Sequence, residues 1–206
     1  MVPSDHEYVD VHETYKDTFG GSNKVSILVQ ARDGDIMTQP ILEEVKRITR
    51  ELAKVSGVNP FQVVSLASRK LKSVSASSMG IESVPLMWPD VPESDAGIEA
   101  LREAIINNPL VYGIYVEPDL SSTLIQMDFY DHLVDYSKIF PQVQGILDAS
   151  PVADQVTHHV VGEPILYGWV DFYLDETVSI ALISLGAMLF ALFLLNRTWR
   201  GTLLPL

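Results

Sequence analysis

The stretch TVSIALISLGAMLFALFLLN, Thr177 to Asn196, decides what kind of protein this chain is. It contains no charged residue in twenty positions. At about 1.5 Å per residue, a helix of that length covers about 30 Å, the thickness of the hydrocarbon core of a bilayer. A buried helix of a globular core rarely needs apolar side chains on every face. The stretch therefore predicts a transmembrane helix.

The residues on either side of this stretch predict its orientation. Aromatic residues lie at both ends, as expected at the level of the lipid headgroups. Acidic residues precede the stretch, whereas Arg197 and Arg200 follow it, and basic flanks stay on the cytoplasmic side. We therefore expect residues 1–176 to be extracytoplasmic. The flanking residues are Tyr167, Trp169, Phe172, Tyr173 and Trp199 (aromatic) and Glu163, Asp171, Asp175 and Glu176 (acidic).

The charge of the chain is unevenly distributed. Residues 1–176 hold all 27 acidic residues and 12 of the 14 basic ones, a net charge of −15. A domain this acidic repels phosphate backbones, which excludes nucleic acid as a partner. The chain has no cysteine, so neither disulfides nor thiolate metal sites are expected.

The residues at the two ends of the sequence predict that the chain is part of a longer protein. Met1 to Gly20 has no apolar run of the kind found in a signal peptide, and Gly201 to Leu206 turns apolar again. We expect a fragment of a longer membrane protein, in which an earlier helix exports the domain. Residues 197–206 are then a cytoplasmic turn and the start of a further membrane helix.

The part before the span is predicted to be a mixed α/β (α+β) domain. β-Branched runs and period-two alternation indicate strands, and apolar residues at helical spacing indicate helices. Residues 1–163 form the domain, and 164–196 form the membrane helix with an interfacial first turn. The expected strands are 25–31, 61–67, 110–116, 122–130 and 155–161; the expected helices are 38–57, 94–107 and 133–149, with Pro141 either kinking the last one or beginning a second helix.

Residues 68–93 are expected to form an irregular insertion, because serines and prolines are frequent there. The insertion is unusually apolar, and two readings of it stay open. It packs over the edge of the sheet, which we favour, or it contacts a hydrophobic substrate. The candidate contact residues are Met79, Leu86, Met87 and Trp88.

No enzymatic chemistry is indicated. His6 and His12 lie in an acidic segment, and the adjacent His158 and His159 would face opposite sides of a strand. Nucleophile-elbow and phosphate-loop motifs are missing from the sequence. We therefore predict no catalytic, cofactor-binding or metal-ligating residue, and no cofactor.

Four short motifs carry a family resemblance: Phe19-Gly20-Gly21, Ser65-Leu66, Asn108-Pro109-Leu110 and Gly162-Glu163-Pro164. In this order, with a single span after the last of them, the sequence resembles the resistance-nodulation-division (RND) superfamily. It is most similar to the bacterial exporter branch with MMPL-type membrane domains, in which a basic turn like that of residues 196–201 joins the second membrane helix to the third.

The resemblance implies a proton-driven exporter of hydrophobic or lipid-like molecules in the bacterial inner membrane. This chain would be its first periplasmic porter domain and its second membrane helix. The order of the predicted elements, β-α-β, α, β-β-α-β, resembles a ferredoxin-like α/β sandwich with an insertion. The implied partners are the bilayer, the cargo and the rest of the transporter chain, and a homo-oligomer is left open. The proton-relay acids would lie on later helices.

Two alternatives stay open. One is a complete tail-anchored protein whose acidic binding or sensor domain faces the cytoplasm, which requires basic flanks on the wrong side of the span. The other is a porter-like fold reused as a lipid-binding module, since a fold alone does not fix function.

Overall fold

The computed structural model describes residues 6–19, 23–77 and 80–196. The chain divides into two compact units, Met1–Gly168 and Trp169–Leu206. The first is a mixed α/β unit with a small antiparallel sheet, and the second is helical as far as Asn196. The mixed α/β class and the long C-terminal helix are thereby confirmed.

Helices and strands are interspersed along the first unit, and the last helix continues into the second. Five α-helices are found in the described residues: α1 Glu7–Phe19, α2 Gln39–Leu52, α3 Asp95–Ile106, α4 Tyr136–Asp148 and α5 Glu163–Asn196. The strands in the same residues are β1 Lys24–Ala31, β2 Lys72–Ser77, β3 Gly80–Pro85, β4 Ser122–Asp128 and β5 Val156–Gly162.

The central sheet has the order β4-β1-β5, with both pairings antiparallel. Ile27 lies opposite Ile125 on one side and opposite Val160 on the other. Alternate residues of β1 are buried, because successive side chains of a strand point to opposite faces. One face of the sheet therefore carries the core.

Helix α2 packs on this sheet and against α4. Its apolar stripe, Ile41, Val45, Ile48 and Leu52, is buried, as the helical spacing predicts. Full burial of each such side chain stabilises the fold by about 1.5–3 kcal/mol. Pro40 lies in the first turn, where its missing N–H costs nothing.

The predicted strand 61–67 is wrong. The Oδ1 atom of Asn59 accepts from the N–H of Phe61, and a 3₁₀ turn follows at Pro60–Gln62. Farther on, the hydroxyl of Ser65 accepts from the N–H of Ala67. Such local side-chain bonds compete with a strand ladder. What remains is an isolated antiparallel bridge between Val64 and Gln126.

The segment 68–93 is more regular than expected. Strands β2 and β3 form an antiparallel hairpin, with Lys72 opposite Pro85 at its root. Alternation in β2 is hard to see in the sequence KSVSAS, because serine fills every second position. The prediction of an irregular insertion is therefore wrong for residues 72–77 and 80–85.

The predicted strand 110–116 is also wrong. The side-chain oxygen of Asn108 accepts a hydrogen bond from the N–H of Leu110. The backbone carbonyl of Asn108 accepts hydrogen bonds from the N–H groups of Val111 and Tyr112. Gly113, with a φ of +76°, continues the turn. Consecutive turns therefore replace the first arm of the expected hairpin, and β4 is its second arm.

The other predicted elements agree with the structure. Strands β1, β4 and β5 and helices α3 and α4 form within three residues of the expected bounds, whereas α2 ends at Leu52, five residues before its expected end. Helix α4 runs unbroken through Pro141, so no second helix begins there.

Candidate functional site

Helix α5 is the first candidate element. Residues Glu163–Leu195 are long and apolar enough to cross a membrane, and none of the most apolar window is buried. Of the described residues, this is the one helix that meets those criteria. An unburied helix that is apolar on all sides requires an apolar surrounding, which a bilayer supplies. The sequence prediction of a membrane-spanning helix is supported at this level.

The aromatic residues before the span lie close together in the second unit. The ring of Tyr173 is 5.2 Å from that of Trp169 and 5.1 Å from that of Phe172, centroid to centroid. Edge-to-face and tilted pairs of this kind are favourable, and rings with one polar end suit the headgroup region.

The first turns of α5 belong to the first unit, where they contact α4. A Cβ added to Gly168 would lie 2.7 Å from the carbonyl oxygen of Tyr136 and 3.0 Å from the Cβ of Phe140. Tyr136 also makes an edge contact with Tyr167, at 5.3 Å between centroids. Only a residue without a side chain fits this approach.

The predicted contact residues lie in different environments. Met87 is 1% exposed and belongs to the core, and Leu86 is half-buried against that core. Trp88 is 40% exposed. Met79 lies outside the described residues. Met87 therefore packs beneath the surface, and Trp88 is the surface residue of the three that are described.

Trp88 has a charged neighbour that the sequence reasoning missed. The guanidinium carbon of Arg69 lies 3.8 Å from the centre of its ring. This is a cation–π contact, which orients both side chains. The signal in the sequence was the pair of basic residues Arg69 and Lys70 before an apolar segment.

A surface groove lies beside the hairpin. Its volume is about 480 Å³, within the range of about 300–1,000 Å³ usual for ligand pockets. Val74 and Leu110 line it and are 67% and 73% exposed. The other described residues that line it are Lys72, Ser73, Ala100, Glu103, Ala104, Asn107, Asn108 and Pro109.

A polar cluster interrupts the core between the sheet and α2. Glu44 is 1% exposed although it is a carboxylate, and Arg47 donates to both of its oxygens. His158 projects from the core face of β5, opposite Val29, and its Nε2 lies 3.6 Å from Oε1 of Glu44. That Nε2 is buried and has no hydrogen-bond partner among the described residues.

The environment shifts both acid–base groups. Burial raises the pKa of Glu44, but hydrogen bonds from Arg47 and Ser150 and the nearby positive charges outweigh it, so the pKa is lowered. Burial lowers the pKa of His158 more than the charge of Glu44 raises it. At neutral pH the cluster therefore holds an ionised Glu44, a charged Arg47 and a neutral His158.

The sequence contained a signal for this cluster. Glu44 is three residues after Ile41 and four before Ile48, so it falls on the apolar stripe of α2. A carboxylate on a buried face requires a partner. His159 points to the other side of β5, where it contacts Gln30, so the expectation that the two histidines diverge is confirmed.

Within the residues that the structure describes, no group of three or more histidines and carboxylates could hold a metal ion. No protein-family model matches the chain, and a comparison with curated proteins also gives no match.

Proposed function

We propose that this chain is part of an RND-type exporter of hydrophobic or lipid-like molecules, located in a bacterial inner membrane. In this proposal, unit 1 is an extracytoplasmic porter domain that passes cargo onward, and α5 is one of several membrane helices. The proton-driven step would be performed by helices outside this sequence, since the span holds no charged residue.

The observation that carries the proposal is the junction of β5 and α5. Strand β5 ends at Gly162 and α5 begins at Glu163, so no linker separates the last strand of the sheet from the helix that contains the span. A domain tethered for independent binding usually has a flexible linker. A direct junction suits a domain that works together with its membrane helix.

The sheet supports a ferredoxin-like reading of the porter domain. If the bridge at Val64 is counted as a very short second strand, the strand order in the sheet becomes Val64 segment, β4, β1, β5. In that order, β1 and the Val64 segment are the two strands of a split β-α-β unit, with β4 antiparallel between them. The resemblance in the four short motifs points the same way.

Topology is the first test. The chain has no cysteine, so one introduced by Gln142→Cys, on the exposed side of α4, can be labelled alone. We expect a membrane-impermeant maleimide to label it in intact cells. Val143→Cys, next to it but buried, should label only after unfolding. Labelling of Gln142→Cys only in permeabilised cells would favour the tail-anchored alternative.

Transport is the second test. We expect deletion of the whole gene that encodes this chain to slow the efflux of a lipophilic fluorescent dye. A protonophore should slow efflux in the parent strain to the same level and have no further effect in the deletion strain. Efflux that is unchanged by the deletion would contradict the proposed function for that class of cargo.

A further inference from the structure

One part of the acidic domain has the opposite charge. Between Glu51 and Glu82 the sequence contains no Asp or Glu but four basic residues, Lys54, Arg69, Lys70 and Lys72. Three of them fall within four positions at the root of the β2–β3 hairpin, which we call the basic root (residues 69–72). In a domain of strongly negative charge, such a reversal marks a surface that attracts anions.

No carboxylate in the described part of the chain neutralises the charges of the basic root. Among the described residues, Arg69, Lys70 and Lys72 form no ion pair with a carboxylate, and the contact made by Lys70 is to the amide oxygen of Gln62. Many other basic residues of the domain are paired with acids. Those are Lys46, Arg47, Lys54, Arg102 and Lys138.

Arg69 is positioned to donate hydrogen bonds. Its guanidinium lies over the face of Trp88, 3.8 Å from the ring centre. A guanidinium bound through its face keeps its N–H donors in the plane, where a phosphate or carboxylate can accept two of them. Trp88 therefore orients Arg69 without consuming its donors.

One residue of the basic root borders the groove. Lys72 is one of its lining residues, and Val74, two positions on, lies on the same side of β2. Asn108 fixes the opposite wall, because its side-chain amide donates to the carbonyl oxygen of Lys72 at 2.8 Å. Exposed apolar side chains thus continue directly from a cationic site.

The wall contributed by α3 is also suited to an apolar chain. Ala100 and Ala104, one helical turn apart, leave room above the helix. Lys72 and Glu103 are the two charged side chains among the described lining residues, and Lys72 belongs to the basic root. The groove therefore combines a cation at Lys72 with apolar side chains at Val74 and Leu110.

We propose that this groove binds an anionic lipid, with the acyl chain along Val74 and Leu110 and the phosphate at the basic root, whose Lys72 lines the groove. The inference deepens the proposed function by naming the cargo class, and it rests on that function for the fate of the bound lipid. Binding itself is a property of this chain. A zwitterionic lipid carries a choline cation that the basic root repels.

The test uses the full chain in phosphatidylcholine nanodiscs and a lysophosphatidic acid that carries a photoreactive diazirine in its tail. We expect adducts in residues 72–74 and 107–110. The variant Arg69→Gln/Lys70→Gln/Lys72→Gln should lose about tenfold or more of this labelling, since each cation near an anionic lipid contributes to binding. Equal labelling by the matched lysophosphatidylcholine probe would overturn the proposal.

Two controls make the result specific. Lys24→Gln/Arg50→Gln/Lys138→Gln changes the net charge equally and should leave labelling within about twofold, because none of these three residues lines the groove or belongs to the basic root. Ala104→Phe fills the groove and should abolish the adducts without altering the circular dichroism spectrum. Labelling that survives Ala104→Phe, or that falls equally in both triple variants, contradicts the site.

A competition arm separates a lipid from a free phosphate. Glycerol 3-phosphate at the concentration of the probe should leave labelling unchanged, whereas unlabelled lysophosphatidic acid should remove it. Displacement of the probe by glycerol 3-phosphate would show that the site binds the phosphate headgroup without the acyl chain, which contradicts a lipid site. If the lipid does not bind but proton-dependent efflux is lost on deletion of the gene, this inference is refuted and the proposed function stands. If the lipid binds but deletion leaves efflux unchanged, the proposed function is refuted and this inference stands.

Discussion

Arg47 holds Glu44 in a two-pronged pair, with 2.7 Å from Nε to Oε2 and 2.8 Å from Nη2 to Oε1. The same Nη2 donates to the carbonyl oxygen of Ile146, at 2.9 Å. One side chain on α2 thus satisfies a buried carboxylate on its own helix and a backbone acceptor on α4. The contact between the two helices is therefore polar at this point.

Arg47→Ala should destabilise the domain by about 2–4 kcal/mol, because it leaves the buried carboxylate of Glu44 without a charged partner. The matched control is Arg50→Ala, on the exposed side of the same helix, which should cost less than about 1 kcal/mol. Chemical unfolding followed by the fluorescence of Trp88, in a Trp169→Phe/Trp199→Phe background, measures both. Equal losses would mean that the pair contributes nothing beyond helix propensity.

Stability should fall as the pH drops below about 6.5, the ordinary pKa of histidine. The pKa of His158 is lowered in the folded state, so the unfolded chain takes up the proton first and folding loses free energy as the pH falls toward the folded-state pKa. The slope from this one group is at most about 1.4 kcal/mol per pH unit. The pKa of Glu44 is also lowered in the folded state, so its protonation adds a second loss of stability below about pH 4.5.

His158→Gln should remove the first of these steps, and His132→Gln, at an exposed position, should keep it. The groups that act on His158 are Glu44 and Arg47 from α2, Asp148 from α4 and His159 from its own strand. If stability instead rises as the pH falls from 6.5, the attraction between protonated His158 and Glu44 exceeds the cost of burial. Unfolding free energies at pH 5, 6, 7 and 8 decide between the two.

Gly162→Ala should cost about 2–4 kcal/mol, because the backbone there has a φ of +150° and a Cβ would lie 2.5 Å from the carbonyl oxygen of Lys24. Gly145→Ala is the matched control. It lies in α4 with open space around the added atom, so alanine should stabilise the helix by about 0.5–1 kcal/mol. Opposite signs in thermal unfolding would confirm the prediction, and equal signs would contradict it.

Met87→Ser should destabilise the domain by about 2–4 kcal/mol, since it exchanges a buried core side chain for a small polar one. Trp88→Ser, one position on, should cost less than about 2 kcal/mol, because Trp88 is part exposed and loses chiefly its contact with Arg69. A transport defect in a Met87 variant is therefore interpretable only beside its unfolding curve. A larger loss for Trp88→Ser would contradict this assignment of the two residues.

Leu182→Arg/Leu185→Arg should release the chain from membranes during alkaline extraction, because each arginine near mid-span costs about 2.5–3.5 kcal/mol of insertion free energy. Arginines placed at Val178 and Leu195, near the two ends of the span, should leave the chain membrane-bound, since they can reach the interface. Retention of the mid-span variant in the membrane pellet would argue that α5 packs on protein instead of lipid.

The elements that the sequence predicts correctly are those whose periodicity is local. The stripe of α2 and the alternation of β1 are decided by their own side chains. The strand expected at 61–67 fails for another reason: side-chain oxygens of Asn59 and Ser65 bond to nearby N–H groups, and such competition is invisible in a hydrophobicity pattern. The β2–β3 hairpin is missed because serine replaces the usual strand residues.

The candidate site was predictable only in part. Trp88 was one of four candidate contact residues, but its partner Arg69 lies 19 positions earlier in the chain and is brought near it by the fold. The meeting of Glu44 with His158 depends on a sheet pairing between residues far apart in sequence. Contacts of this kind follow from topology, which the sequence pattern constrains only loosely.

The central position of β1 sets the order of events in folding. Arg32 just beyond β1 bonds to Val156 at the start of β5, 124 residues later in the chain. Pairings with so large a sequence separation require the closure of a long loop and are slow to form. The sheet therefore cannot close until β5 has been synthesised, immediately before α5 emerges from the ribosome. Until then one edge of β1 presents unpaired backbone N–H and C=O groups, which are open to pairing with another strand.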